Sequence, residues 1–411
     1  VSERSETVTL PELEAAHEDD VIGNLRHRLD ALAVELIRFW RTHGEDREFG
    51  GFHGTLDRAG KPKEPTDKGL IQQSRHLWTW STWYERREPT PEVRAIADRS
   101  YRFIVDHMRD GNDGEFYFKV SRDGRTVTEP KKQLYAESFA IYALAAYGRV
   151  FASDEAKRIA LACFRSIDQR SHDAEHRGYD QTNDPGWLSP GAAKETNTHI
   201  HLLEAFTELH RATGDHMVKE RLDELVSVTA TKLFQPAHNY VHQEFLRDFT
   251  PFGPPRSSYG HDIETAWLLM DAVAALGRPE DAVAADAATR MGRHASDVGF
   301  DPEHGGFFEE GAVGARPDKL LKVWWVQAEA LPGLWRLYRL SGEPRHLERL
   351  ERTLSFIETH QLDHEFGELY WDTNPDGSPG PHGTDKGEEW KTSYHGVRAL
   401  VFTSDFMRDE R

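Results

Sequence analysis

The sequence predicts an all-α protein of six helical hairpins closed into an (α/α)6 barrel, and two observations carry that prediction. The first is a short turn motif that returns six times: Gly50-Gly51-Phe52-His53, Gly114-Glu115-Phe116-Tyr117, Gly178-Tyr179, Asn239-Tyr240-Val241, Gly305-Gly306-Phe307-Phe308 and Gly367-Glu368-Leu369-Tyr370. From Gly51 through Gly114, Gly178, Asn239 and Gly306 to Gly367 the steps are 63, 64, 61, 67 and 61 residues, room for one helical hairpin each. The second is that the same two kinds of helical pattern flank every turn.

In the first repeat an amphipathic stretch at 24–43 precedes the turn and a more apolar one at 73–86 follows it. The next repeats pair 90–110 with 135–150, 154–171 with 198–213, and 215–234 with 262–277. The last two pair 280–298 with 326–341 and 343–360 with 394–407. The leading member of each pair has apolar residues at helical spacing and charge on the opposite face, so it belongs outside; the trailing member is apolar enough to be enclosed. An open superhelix is the alternative, but six units with an apolar inner set favour closure around a central cavity. Residues 1–20 read as a polar lead-in, and 21–411 as one barrel domain, because no Pro/Ser-rich linker interrupts the repeat.

Composition narrows the function. A net charge of −19 argues against nucleic acid or an anionic membrane as a partner. No secretory leader or membrane-length apolar run is visible, so a cytoplasmic location is expected. The one cysteine, Cys163, reads as a small buried hydrophobe, which leaves no intrachain disulfide and no thiolate zinc site.

Chemistry is expected where a polar or aromatic cluster opens each inner helix. The clusters are Gln72-Gln73-Ser74-Arg75, Gln133-Leu134-Tyr135, Asn197-Thr198-His199-Ile200-His201, Tyr259-Gly260-His261-Asp262-Ile263-Glu264, Val323-Trp324-Trp325-Val326-Gln327 and Trp390-Lys391-Thr392-Ser393-Tyr394-His395. Parallel inner helices place all six at one end, around one pocket. Asn197 with His201, His261 with Glu264, and His395 with Arg398 are three or four residues apart, so each pair shares a helix face. Three imidazoles, His201, His261 and His395, thus converge from different repeats, whereas His53, His107, His172 and His304 read as hydrogen-bonded structural residues. His199 is two residues from His201 and points elsewhere. With no His-Glu-x-x-His and no thiolate cluster, neither a metal nor a cofactor is expected.

Imidazole is the side chain best suited to exchanging a proton near neutral pH, and two on opposite sides of a substrate can remove a proton and return it elsewhere. Arg75 suits the oxyanion of an enediolate, and Glu264 is expected to fix the tautomer of His261. Tyr135, Trp325 and Trp390 offer faces to the C–H side of a sugar ring, while Trp78, Trp80, Trp83, Trp267 and Trp335 read as core. The residues alone reach metal-free proton transfer on a small polyol.

The segments Ser74-Arg75-His76-Leu77-Trp78-Thr79, Tyr135-Ala136-Glu137-Ser138-Phe139, Asn197-Thr198-His199-Ile200-His201, Gly260-His261-Asp262-Ile263-Glu264, Trp324-Trp325-Val326-Gln327-Ala328-Glu329 and Trp390-Lys391-x-x-Tyr394-His395 resemble those of the N-acylglucosamine 2-epimerase superfamily. The likeness is greatest to its group of cellobiose 2-epimerases, mannose 2-epimerases and mannose isomerases, and it runs in order from about residue 50 to 398. The resemblance implies the (α/α)6 barrel, catalysis without a metal, His261 and His395 as the acid/base pair, and His201 at the sugar ring and its opening. It places Arg75, Tyr135, Asn197, Glu264, Trp325 and Trp390 at substrate-contacting or supporting positions; Glu309 is a further candidate contact.

Three departures from that group bear on the substrate: a short stretch at 180–196, Glu137 in place of a glutamine, and Gly396 in place of an asparagine. They favour a monosaccharide such as mannose. The expected reaction is mannose–fructose isomerisation through a cis-enediolate, with His201 assisting ring opening, His261 or His395 taking the C2 proton and Arg75 holding the intermediate. Return of the proton to C1 gives the ketose and return to the opposite face of C2 gives the epimer, so 2-epimerisation of mannose/glucose or of cellobiose is the alternative. Glycoside hydrolysis is more remote, and needs two carboxylates across the cleft, such as Glu264 with Glu309 or Asp262.

Overall fold

Twelve α-helices carry the fold in the computed structural model, which describes residues 10–63, 66–111, 114–181 and 191–409. They alternate as expected: α1 (Leu10–Phe39) and α2 (Leu70–Arg86), α3 (Pro91–Phe103) and α4 (Leu134–Val150), α5 (Asp154–Ser171) and α6 (Thr196–Thr213). The remaining pairs are α7 (His216–Val228) and α8 (Tyr259–Ala275), α9 (Ala282–His294) and α10 (Trp324–Ser341), α11 (Pro344–Phe356) and α12 (Tyr394–Asp409). Four outer helices begin at side-chain caps, where Thr90, Ser153, Asp215 and Asp281 accept from backbone N–H groups two or three residues on. Gly214 and Gly342 end α6 and α10 in the left-handed conformation, at φ 64° and 68°.

One boundary differs from expectation: α1 starts at Leu10, so residues 10–20 of the anticipated lead-in are helical. Pro11 sits in the first helical turn, where its missing N–H has no intrahelical acceptor to lose, and strong helix formers follow it.

The odd-numbered helices bury one stripe; the even-numbered ones are enclosed, and in α4 every residue from Leu134 to Gly148 is buried. The inner helices α2, α4, α6, α8, α10 and α12 pack in that order, and α12 packs also on α2 and α1. The fold is therefore an all-α array of paired hairpins, toroid-like in arrangement. Short antiparallel ribbons decorate one end: Lys68–Gly69 pairs with Lys119–Val120, Lys194–Glu195 with Glu244–Phe245, and Lys322–Val323 with Asp372–Thr373. Each ties the segment ahead of an inner helix to the loop of a later repeat. A Leu56–Gly387 bridge makes the corresponding tie between the last repeat and the first.

The six turns share one geometry. A residue bridges the apolar residue seven positions on, in Glu45–Phe52, Arg109–Phe116, His172–Tyr179, Phe234–Val241, Phe300–Phe307 and Leu362–Leu369. Two residues ahead of the apolar one the backbone is always left-handed, at Gly50, Gly114, Arg177, Asn239, Gly305 and Gly367, which is why glycine recurs there.

Sequence inspection missed how these turns are locked. Five contain an aspartate that receives a lysine from the segment ahead of the following inner helix: Asp46–Lys68 at 3.0 Å, Asp110–Lys132 at 3.0 Å, Asp173–Lys194 at 2.8 Å, Asp301–Lys322 at 2.8 Å and Asp363–Lys386 at 3.1 Å. An inner-helix side chain then caps the turn backbone. Gln73, Glu137, His199, Asp262 and Gln327 accept from the N–H of Phe52, Phe116, Tyr179, Val241 and Phe307 at 2.7–3.1 Å. Among the described residues no helix is long and apolar enough to cross a membrane.

Candidate active site

The face that holds the turns and the face that looks inward alternate along each inner helix, because one residue step rotates a side chain by about 100°. Arg75, His201 and Glu264 each lie two residues after a turn-holding residue, and His261 lies one before. These inward positions surround a cavity of about 250 Å³. Its walls are Arg75 of α2, Tyr135 of α4, Asn197 and His201 of α6, His261 and Glu264 of α8, Trp324 and Trp325 of α10, and His395 of α12, with Trp371 and Trp390 from loops. Nine of the ten candidates named from sequence are thus brought together. Glu309 is not among the lining residues: half-buried, it uses its backbone to join Tyr259 and Lys319. Asp262 faces away, its carboxylate taken by the Val241 N–H and the Ser257 hydroxyl. His53, His107, His172 and His304 do not line the cavity either, and the five tryptophans read as core are all buried.

A network of buried carboxylates supports the histidines. Nδ1 of His201 is 2.6 Å from Oε1 of Glu204, and Nδ1 of His395 is 2.7 Å from Oε1 of Glu329. The other Glu329 oxygen accepts from the Trp267 indole at 3.1 Å, and Glu204 accepts from the Tyr394 hydroxyl at 2.7 Å. Arg398, fully buried, donates to Glu204 and Glu264 and lies 2.7 Å from Glu329. The expectation that Glu264 orients His261 through a hydrogen bond is therefore corrected: Oε1 of Glu264 accepts from Arg398, and Nδ1 of His261 does not reach the carboxylate. Nδ1 of His261 is buried with no hydrogen-bond partner among the described residues. The His261 ring instead packs 4.9 Å from the Trp325 indole, whose other neighbour, 5.9 Å away, is His395.

Arg75 is held rigidly, with Nη1 donating to the Trp390 carbonyl at 2.6 Å, Nη2 donating to the Tyr135 hydroxyl at 3.0 Å, and the guanidinium 4.4 Å over Phe139. Burial pushes the His261 imidazole below its usual range, and burial with the charges of Arg75 and Arg398 pushes His395 well below. Burial also raises the Glu329 carboxyl, to about 8, against the pull of Arg398. Burial acts on Glu204 in the same direction, but Arg398 and His201 outweigh it and hold that carboxyl below its usual range.

Two of the three departures from the family pattern turn out to lie off this cavity. Glu137 caps the second turn, as Gln73 and Gln327 cap theirs, and its other oxygen receives the Cys163 thiol at 3.1 Å. A Cβ on Gly396 would meet Leu36 of α1 at 2.8 Å, so position 396 faces the outer helix. The third, the stretch at 180–196, lies for the most part outside the described residues, which omit 182–190. Glu204, Glu329, Trp324 and Trp371 were not singled out from the sequence; only Glu204 carried a usable signal, three residues after His201 on the same helix face.

One group among the described residues brings metal-type ligand atoms within 4.8 Å of one another, Glu264, Glu329 and His395. Arg398 already supplies a cation to both carboxylates.

The model of the N-acylglucosamine 2-epimerase (GlcNAc 2-epimerase) family matches residues 50–399, a span that takes in every residue of this cavity. The chain belongs to that family. It is accordingly a carbohydrate isomerase or epimerase, similar to the cellobiose 2-epimerase and mannose isomerase group. A cellobiose 2-epimerase of Bacteroides fragilis is 30% identical over 380 residues, covering 90% of this chain and 96% of the relative. A D-mannose isomerase of Thermobifida fusca is 27% identical over 393 residues, covering 90% and 92%. The solved structure of a cellobiose 2-epimerase from Spirochaeta thermophila superposes with a TM-score of 0.86 at 32% identity, covering 94% of this chain and 97% of that one.

Proposed function

We propose that this family member acts on a free hexose, mannose, by metal-free proton transfer at C2 through a cis-enediolate, inside a closed (α/α)6 barrel. Closure is supported by α12 packing on both α10 and α2, and by the Leu56–Gly387 bridge. The observation that carries the chemistry is the pair of neutral-favouring imidazoles, His261 and His395, both in ring contact with the Trp325 indole at the cavity wall.

In this reading Nδ1–H of His201 donates a hydrogen bond to Glu204, which leaves Nε2 to work on the anomeric hydroxyl and ring oxygen as the ring opens. One of His261 and His395 then takes the C2 proton. The electron pair of that C–H bond forms the C1–C2 double bond, and the former carbonyl oxygen becomes an enediolate oxyanion facing Arg75. The second imidazole enters the step protonated and gives its proton to C2 from the opposite side. The oxyanion returns to a C1 carbonyl and the product is glucose, with the first imidazole left carrying the proton it took. Tyr135, Asn197, Glu264, Trp325 and Trp390 are the proposed contacts to the sugar.

Two imidazoles and the cellobiose 2-epimerase relatives favour epimerisation as the main outcome. Mannose–fructose isomerisation is the second reading, favoured by the D-mannose isomerase relative, and one base suffices for it. A monosaccharide is favoured by the cavity volume of about 250 Å³, just under the roughly 300 Å³ at which ligand sites usually begin. Purified protein incubated with mannose, glucose, fructose and cellobiose, with products separated by chromatography, tests all of this. Glucose as the main product from mannose is expected. Fructose without glucose selects the second reading, preferred turnover of cellobiose contradicts the monosaccharide, and cleavage of cellobiose or inertness towards all four sugars contradicts the proposal.

A further inference from the structure

A second cavity, of about 510 Å³, opens among the C-terminal halves of the inner helices. Trp78, Tyr142, Trp267 and Phe402 supply its aromatic surface. Around them stand arginine–carboxylate pairs: Arg86 with Asp405 at 2.7 Å, Arg149 with Glu208 at 2.6 Å and Arg211 with Asp271 at 2.7 Å. With those guanidiniums matched by carboxylates, the wall holds little positive charge for a phosphate or a carboxylate ligand. Flat aromatic faces beside fixed donors and acceptors are instead the chemistry that takes a neutral polyhydroxylated ring.

Two groups belong to both cavities. Glu204 lines the second cavity and accepts from Nδ1 of His201 in the first. Trp267 lines the second cavity and donates to Glu329, the carboxyl beside Nδ1 of His395. A molecule that hydrogen-bonds Glu204 or moves the Trp267 indole thus alters a partner of a first-cavity histidine one bond away.

We propose that this second cavity binds a neutral polyol of about hexose size, and that its occupancy is felt at His201 and His395 through Glu204 and Trp267. The binding half stands without any assumption about the reaction; the kinetic half rests on the proton-transfer reading of the first cavity.

The test uses 1,5-anhydromannitol, a pyranose that lacks the anomeric hydroxyl and cannot open, titrated calorimetrically into the full chain and into Arg211→Ala and Asp271→Asn. Both substitutions lie at the solvent end of the second cavity, and their melting curves check the fold. The wild type should bind one equivalent more than each variant, two against one where the first cavity also takes the probe, the lost site weakened at least tenfold. The probe should also change the turnover of mannose in a way excess mannose does not relieve, and only in the wild type. The same number of equivalents at the same affinity in the wild type and in both variants overturns the site; purely competitive kinetics overturns the coupling. If no sugar is turned over, the proposed reaction fails, while the number of equivalents bound still decides the site.

Discussion

Oε1 of Glu329 lies 2.7 Å from Nδ1 of His395, in full burial, on a carboxyl that also receives the Trp267 indole N–H. This contact fixes which nitrogen of His395 is left for a substrate. It makes Glu329 a positioning residue whose effect is transmitted through the imidazole.

Glu329→Gln should therefore lower kcat for mannose by roughly 10-fold to 10²-fold, less than the roughly 10²-fold to 10⁴-fold of losing the base itself, and leave KM nearly unchanged. The steady-state constants, with a melting curve to show that the fold is intact, check this. A raised KM at constant kcat would mean that Glu329 serves binding instead.

Arg398 is the one guanidinium shared by Glu204, Glu264 and Glu329 among the described residues. Arg398→Met removes the cation and leaves three carboxyls buried together, which for a broken buried pair costs about 3–5 kcal/mol. Urea unfolding should show a loss of that order. A loss under about 1 kcal/mol would show that the carboxyls lose their charge without consequence.

Glu137 gives a stability prediction with a definite sign. Burial raises its carboxyl from 4.5 to about 8, so the folded state favours the protonated form. Its stabilising contribution is complete below about pH 4.5 and is lost as the pH climbs through 8. Glu137→Gln keeps the acceptor for the Phe116 N–H and never ionises. Relative to the wild type it should gain stability by up to about 1.4 kcal/mol per pH unit between pH 4.5 and 8, then level off. Melting curves across that range check the slope; a difference that does not vary with pH would place an ionised carboxylate at position 137.

His261 and His395 are both pushed below the ordinary histidine value of 6.5. Activity that needs a neutral imidazole should then persist on acidification past pH 6.5, with the acid limb of kcat/KM for mannose centred lower. A limb centred at or above 6.5 would contradict the burial argument.

What the sequence disclosed and what it hid follow from the same helical geometry. The repeat was legible because a left-handed backbone two residues before Phe52 or Phe307 selects glycine, and that signal survives in a single chain. The six helix pairs and the convergence of Arg75, His201, His261 and His395 followed from the spacing of those turns. The jobs of adjacent residues were less legible. Glu137, His199, Asp262 and Gln327 lie within two residues of inward-facing groups, yet hold turn backbones; only the rotation of each helix separates the two roles. Glu329 has the same difficulty in reverse. Its partner His395 is 66 residues away on another helix, so no local spacing links them. The Asp46–Lys68 pair and its four counterparts look like ordinary surface charges in the sequence, and only the folded positions, buried in all but the part-exposed Asp110–Lys132 pair, reveal them as locks.

The central claim is that His261 and His395 exchange the C2 proton of a free sugar. Mannose incubated with the protein in deuterium oxide, with the products read by NMR, tests it most directly, alongside His261→Ala and His395→Ala. Each variant should lose roughly 10²-fold to 10⁴-fold or more in turnover with the fold intact. The wild type should deliver deuterium to C2 of glucose, and any fructose formed should carry at least partial label at C1. Complete retention of the original hydrogen together with full activity in both variants would contradict the account.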